Sequence, residues 1–213
     1  MSASLESLRQ QLAARFPTAT RSAGRTLATG WPPLDDPTGG GLPLGALTEI
    51  VGAAPSCGVS LLWQQLLTST RTARTRVALV DAFDEFDVAS CPANLLAHLV
   101  WVRCHNVTEA LAATDLLARD ANFGLVLLDL RHASLRELRR IPATAWYRLQ
   151  RAVEPAELAL VVATPATCVP SAQLRFEFAR TAALPDLDRE RATLAAELAP
   201  ALQRQRRHFA ATG

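Results

Sequence analysis

The sequence predicts an α/β fold, a mostly parallel sheet covered by helices, and three observations carry that expectation. From Ala46 onward, apolar runs of strand length alternate with helix-length stretches, the pattern of a sheet buried on both faces. The first such run opens directly into a glycine-bearing turn and then a helix. The chain of 213 residues, 49% hydrophobic and 20% charged with a mean hydropathy of +0.11, has enough apolar surface for one well-packed core.

The elements follow in order. Leu5, Leu8, Leu12 and Phe16 recur at helical spacing after Ser4 and before Pro17, predicting a short amphipathic helix within residues 1–26. Its apolar stripe needs a partner, either the chain's own core or another protein. Residues 18–45 hold Pro32, Pro33, Pro37 and the run Gly39–Gly41, and are expected to be turns and extended segments. Strands are predicted at 47–51, 77–81, 99–104, 125–130, 158–163 and 174–179, and helices at 60–71, 107–119 and 142–153. In the last helix Trp146, Leu149 and Val153 share one face, and Pro142 suits the first turn. About ten residues separate the last two strands, too few for a crossover helix, so that pair is expected to be partly antiparallel. The tail, residues 185–213, reads as helical. Asp188 is its candidate N-cap and Leu194, Leu198 and Leu202 form its stripe, with Pro200 splitting it. The core proper is placed at 27–184.

The charge pattern narrows the chemistry. The net charge is +2, all 22 basic side chains are arginine and the chain has no lysine. Mechanisms that need a lysine base, Schiff base or phosphate-binding ammonium are therefore excluded. Cys57, Cys91, Cys104 and Cys168 form no C-x-x-C pair, and His98, His105, His132 and His208 show no metal-ligand spacing, so reduced thiols and no metal are expected. His98, on an apolar stretch, is expected to be a buried or boundary histidine. The four tryptophans are dispersed and read as core or turn residues. The opening MSASLESLRQ lacks a signal-peptide pattern, and the uncharged run 50–70 holds Pro55, Ser56, Gln64 and Gln65. A cytoplasmic location without membrane insertion is expected.

After the first long strand, Gly52-Ala-Ala-Pro-Ser56-Cys-Gly58-Val59-Ser60 occupies the place of a phosphate loop, whose working form is G-x-x-x-x-G-K-[ST]. Five residues separate its glycines, the lysine position is Val59, and only the hydroxyl of Ser60 remains. Lacking that cation, the loop is expected to bind ATP poorly and to hydrolyse none. Asp129, ending the strand of residues 125–130, is either a metal-positioning carboxylate or, as the damaged loop favours, a residue that caps the strand end or pairs with Arg131. Gly52, Ser56, Gly58, Ser60 and Asp129 are the candidate vestigial nucleotide site. Arg131, Arg136, Arg139 and Arg140 could form a basic patch, although an exposed helix face balanced by Glu137 is the simpler reading.

Thr29-Gly30-x-x-x-Leu34-Asp35, Gly39-Gly-Gly-Leu-Pro43-x-Gly45-x-x-x-Glu49-Ile-x-Gly52, Val80-Asp-Ala-Phe83-x-x-x-Asp87, Glu109-Ala-Leu111 and Phe123-Gly-Leu-Val-Leu-Leu-Asp129 together resemble the RecA recombinase core. That resemblance implies a RecA-like, phosphate-loop α/β fold with a degenerate nucleotide site. In RecA proteins a catalytic glutamate follows the Asp-Ala pair, and Phe83 stands there; Glu85 lies beyond, where a turn is expected. The segment from Arg139 to Glu154, followed by the apolar run 158–165, resembles the ImuA family, grouped with SulA-type RecA relatives.

This second resemblance implies a DNA-damage-inducible accessory protein of mutagenic translesion synthesis. It would require no cofactor or small-molecule substrate, and its partners would be an ImuB-like polymerase relative and RecA. Partner surfaces are expected in the terminal regions: Leu5, Leu8, Leu12 and Phe16 at one end, Arg204, Arg206 and Arg207 at the other. The loop 164–173 is too short and too uncharged to grip DNA, which leaves direct DNA contact weakly supported. Two other readings stand beside this adaptor: a divergent ATPase borrowing an arginine from another chain, and a SulA-like inhibitor of cell division.

Overall fold

The structure, a computed structural model, describes residues 25–205, with the side chains of Leu184 and Leu187 left aside. The predicted N-terminal helix with Leu5, Leu8, Leu12 and Phe16, and the cationic positions Arg206 and Arg207, lie outside the described residues.

The core is an α/β fold: a seven-stranded, mostly parallel sheet between two layers of helices. Its strands are β3 (Ala46–Val51), β4 (Val77–Asp81), β5 (Leu99–Arg103), β6 (Leu125–Asp129), β7 (Ala159–Thr164), β8 (Leu174–Glu177) and β9 (Ala201–Gln205). They lie in the order β5-β4-β6-β7-β3-β8-β9, an arrangement consistent with a RecA-like fold. A two-stranded antiparallel ribbon, β1 (Thr26–Leu27) with β2 (Leu42–Pro43), precedes it. The central strands are mostly apolar and buried throughout, and successive side chains enter opposite layers. Leu125 and Leu127 join one core cluster while Val126 and Leu128 join the other.

The first layer contains α1 (Pro32–Thr38), α2 (Val59–Thr72) and α3 (Ala93–Leu96). The second contains α4 (Val107–Leu117), α5 (Leu135–Arg140) and α6 (Ala143–Val153). In α6, Trp146, Leu149, Ala152 and Val153 are buried, and Pro142 stands at the N-cap just before the first turn.

Three expectations are corrected. Residues 18–45 contain a helix, α1, despite their prolines. Pro32 and Pro33 occupy its first positions, where a missing N–H costs nothing, and Gly39 ends it at φ 76°. The motif residues Thr29 and Asp35 brace it: the Asp35 carboxylate accepts from Thr29 N at 3.0 Å, Thr29 Oγ1 at 2.7 Å and Gly30 N at 3.0 Å. Gly41 (φ 123°) is required by close approach, since a Cβ there would lie 2.2 Å from the Leu27 carbonyl oxygen.

The expected antiparallel pairing of the strands near 158–163 and 174–179 does not occur. Both β7 and β8 run parallel to β3, on opposite sides of it. The connecting segment 165–173 can reach about 30 Å when extended. It need cross only about 10 Å of sheet, and β8 starts opposite Thr48 rather than at the bottom of β3, so no helix is needed. The antiparallel pair is instead β8 with β9.

The C-terminal tail is helical only in part. A 3-10 turn (Leu184–Asp188) leads to α7 (Arg191–Glu197), and beyond Pro200 the chain becomes the edge strand β9. Asp188 ends the 3-10 turn, and Glu190 stands at the N-cap of α7. Leu198 is buried in the first core cluster. The tail is therefore built into the sheet, and its Arg204 donates to the Pro170 carbonyl at 3.3 Å.

Arg136, Arg139 and Arg140 lie exposed on α5, the helix-face arrangement expected, with Glu137 capping the same helix through Ser134, while Arg131 stands apart just beyond the end of β6.

Candidate functional site

The loop 52–58 leaves the C-terminal end of β3 and delivers the chain into α2. Gly52 is pressed against the Cys57 side chain, where a Cβ would fall 2.7 Å from the Cys57 sulfur. Ser56 (φ 57°) and Gly58 (φ 98°) both take left-handed backbone, and Gly58 forms the N-cap of α2 without a side-chain cap. This conformation suits glycine and costs any larger residue.

Two later parts of the chain close on this turn. Leu198 lies over Gly58, where a Cβ would come within 2.6 Å of its methyl carbons, and Ala182 N donates to the Ser56 carbonyl at 3.0 Å. The space left among Ser56, Gly58, Leu61, Arg180 and Leu198 is about 30 Å³, far below the several hundred Å³ of a small-molecule site.

The other flank carries charge. Asp129, at the end of β6 and 7% exposed, accepts from Trp63 Nε1 at 3.0 Å and from the backbone N of Arg131 at 3.1 Å. It also takes the Arg131 guanidinium in a forked pair, Nε at 2.9 Å and Nη2 at 2.6 Å. The remaining corner of that guanidinium, Nη1, donates to Ser60 Oγ at 3.3 Å. Burial works against the Arg131 charge, and the hydrogen bonds and charge of Asp129 outweigh it, holding the guanidinium above its ordinary pKa.

The cation that the loop sequence lacks is thus present from within the chain, beyond the end of β6 two strands from β3, and is already neutralised by a carboxylate. An Asp129 so engaged has both oxygens committed. This is the pairing with Arg131 that the strand-end reading predicts. Trp63 as its second anchor was not foreseen, since a buried tryptophan in a helix reads first as core.

The position expected for a catalytic glutamate is Phe83, half-buried against the second core cluster. β4 stops at Asp81, and the chain turns through Asp84 (φ 60°), leaving Glu85 exposed. Asp81 itself holds the turn, accepting from Phe83 N at 3.3 Å, Phe86 N at 2.8 Å and Trp101 Nε1 at 3.3 Å. Asp87 accepts from Ser90 N at 3.2 Å. The motif residue Glu109 accepts from His105 N at 3.0 Å, ahead of α4.

The role of a third buried carboxylate escaped sequence reasoning. Glu49, fully buried in β3, accepts from Thr164 Oγ1 (3.3 Å), Cys168 N (2.7 Å), Val169 N (3.0 Å) and Arg175 Nε (2.6 Å). It fixes the helix-free crossover between β7 and β8. The signal was available: an acid in the middle of a fully buried parallel strand must find a cation and amides nearby. Burial, then the Glu49 charge, push the Cys168 thiol up to about 12.

Among the described residues no group of three or more His, Cys, Asp or Glu side chains is placed to hold a metal ion, and no helix is long and apolar enough to cross a membrane. No protein-family model matches this chain, and no curated protein matches it.

Proposed function

We propose that this protein is a non-catalytic accessory protein of RecA-like architecture that serves DNA-damage-induced mutagenic translesion synthesis by binding other proteins. An ImuB-like polymerase relative and RecA are the partners, met in the cytoplasm at the nucleoid. The observation that carries the non-catalytic half is the Asp129–Arg131–Ser60 arrangement. The hydroxyl left from a phosphate loop is engaged by a guanidinium, and that guanidinium is spent on a carboxylate rather than free for phosphate. Phe83 at the position of the water-orienting carboxylate removes the second requirement for hydrolysis. The adaptor half is supported by the resemblance in residues 139–165 and by the terminal regions that it assigns to partners.

The test uses the full chain as bait against purified RecA and a purified ImuB-like polymerase relative, with ATP hydrolysis followed in the same samples. Capture of either partner with hydrolysis at background supports the proposal. Hydrolysis above background that Ser60→Ala abolishes, or failure to capture either partner, overturns it.

A further inference from the structure

Arg71, Arg74 and Arg76 gather at the end of the molecule opposite the loop. The 14 residues of α2 carry the chain about 21 Å from Gly58, to the edge where the parallel strands begin. There Arg74 takes left-handed backbone at φ 54° and turns the chain sharply into β4. The carbonyls of Ser69, Thr70 and Arg71 are taken by the amides of Ala73, Thr75 and Arg74, so the negative end of the helix is capped by its own turn.

The result is a concave site of about 530 Å³ lined by Arg71, Arg74, Thr75, Arg76, Ala97 and His98. No carboxylate lines it. Arg131, Arg175 and Arg189 each hold an acid; among the described residues, the side chains of Arg71, Arg74 and Arg76 hold none. His98 reports the local field: burial, then the Arg71 charge, lower its pKa. Its Nε2 meets Thr70 Oγ1 at 3.0 Å, while its buried Nδ1 has no partner.

We propose that Arg71, Arg74 and Arg76 bind the phosphodiester backbone of a nucleic-acid strand. Three uncompensated guanidinium groups in one open concavity match a run of phosphates. Ala97 alone among the lining residues is apolar, so the site offers an acidic peptide no side-chain pocket. It holds no Trp, Tyr or Phe to stack on successive bases, and recognition is independent of sequence. The site is remote from Ser60 and Arg131 and does not rest on the reading of the loop.

The experiment is fluorescence anisotropy of the full chain with labelled oligothymidylate of about 20 nucleotides, across about 50 to 200 mM salt. Neutralising three phosphates of a single strand contributes about −2 to the slope of log K against log salt. The variant Arg71→Gln/Arg74→Gln/Arg76→Gln should flatten the slope by about 2 and weaken binding at least tenfold at the low-salt end. Arg136→Gln/Arg139→Gln/Arg140→Gln, which removes the same charge from α5, should stay within about twofold of the parent. Circular dichroism checks that both variants remain folded. The proposal is overturned if the parent does not bind, if both variants weaken alike, or if pyrophosphate or polyglutamate binds as tightly as the oligonucleotide.

Discussion

Two carboxylate–arginine pairs lie buried at the same sheet, Glu49 with Arg175 and Asp129 with Arg131, and their surroundings give them different work. In the first the carboxylate is the enclosed partner: Glu49 is fully buried, its oxygens gather two backbone amides and a hydroxyl besides the guanidinium, and Arg175 keeps a small exposed face. It substitutes for the helix that a parallel crossover normally uses. The second faces the turn at Ser60, an exposed residue, and the third corner of its guanidinium points at that hydroxyl. One pair holds backbone in place; the other holds a cation in a place where phosphate chemistry would need it free. Similar chemistry therefore becomes architecture in one region and a blocked site in the other.

Breaking the enclosed pair should have the largest effect. Glu49→Gln leaves Arg175 charged and buried without its partner and should cost about 3–5 kcal/mol, read as a lower urea midpoint. The same variant should loosen the crossover. The Cys168 thiol, held near 12 by burial and the Glu49 charge, should react with iodoacetamide at mildly alkaline pH in the variant and resist it in the parent. Asp129→Asn should cost less, about 1–3 kcal/mol, because Arg131 can swing toward the open side of Ser60; its ATP turnover should stay at background. Trp63→Phe keeps an aromatic ring but removes the donor to Asp129 and part of the buried indole volume, for about 1–2 kcal/mol. Equal losses for Glu49→Gln and Asp129→Asn would erase the distinction between the two regions.

The smallest expected effect is on pH dependence. The folded-state pKa of His98 is depressed, so the unfolded chain binds its proton first. Stability from this group is present above the unfolded value of about 6.5 and is lost as pH falls through the lower folded value. Urea midpoints measured on either side of that window should fall toward acid, and His98→Gln should flatten that part of the profile.

The layered fold was legible because a strand buried on both faces reads as a short continuous apolar run, distinct from the longer period-3.6 stretches of the covering helices. Strand β4 falls where the apolar run of residues 77–81 places it, and α2 differs from expectation by one residue at each end. The errors arose where local chemistry overrides pattern. Proline at the first positions of α1 starts a helix instead of preventing one. Beyond Pro200, Leu202 belongs to an edge strand paired with β8, and only that partner reveals it. The crossover between β7 and β8 was misread because strand order is set by a long-range contact, the Glu49 carboxylate on residues 164–175, which no spacing encodes. At the site, the missing lysine was readable directly, as was Asp129 with Arg131. The approach of Arg131 to Ser60, 71 positions away, is a product of the folded sheet alone.

The most direct measurement is a titration of the full chain with a fluorescent ATP analogue and magnesium, alongside Arg131→Ala and Ser60→Ala. If the guanidinium beside Ser60 is spent on Asp129, the parent shows no saturable binding in the micromolar range. Saturable micromolar binding by the parent that either substitution abolishes would contradict this and make the loop a working nucleotide site.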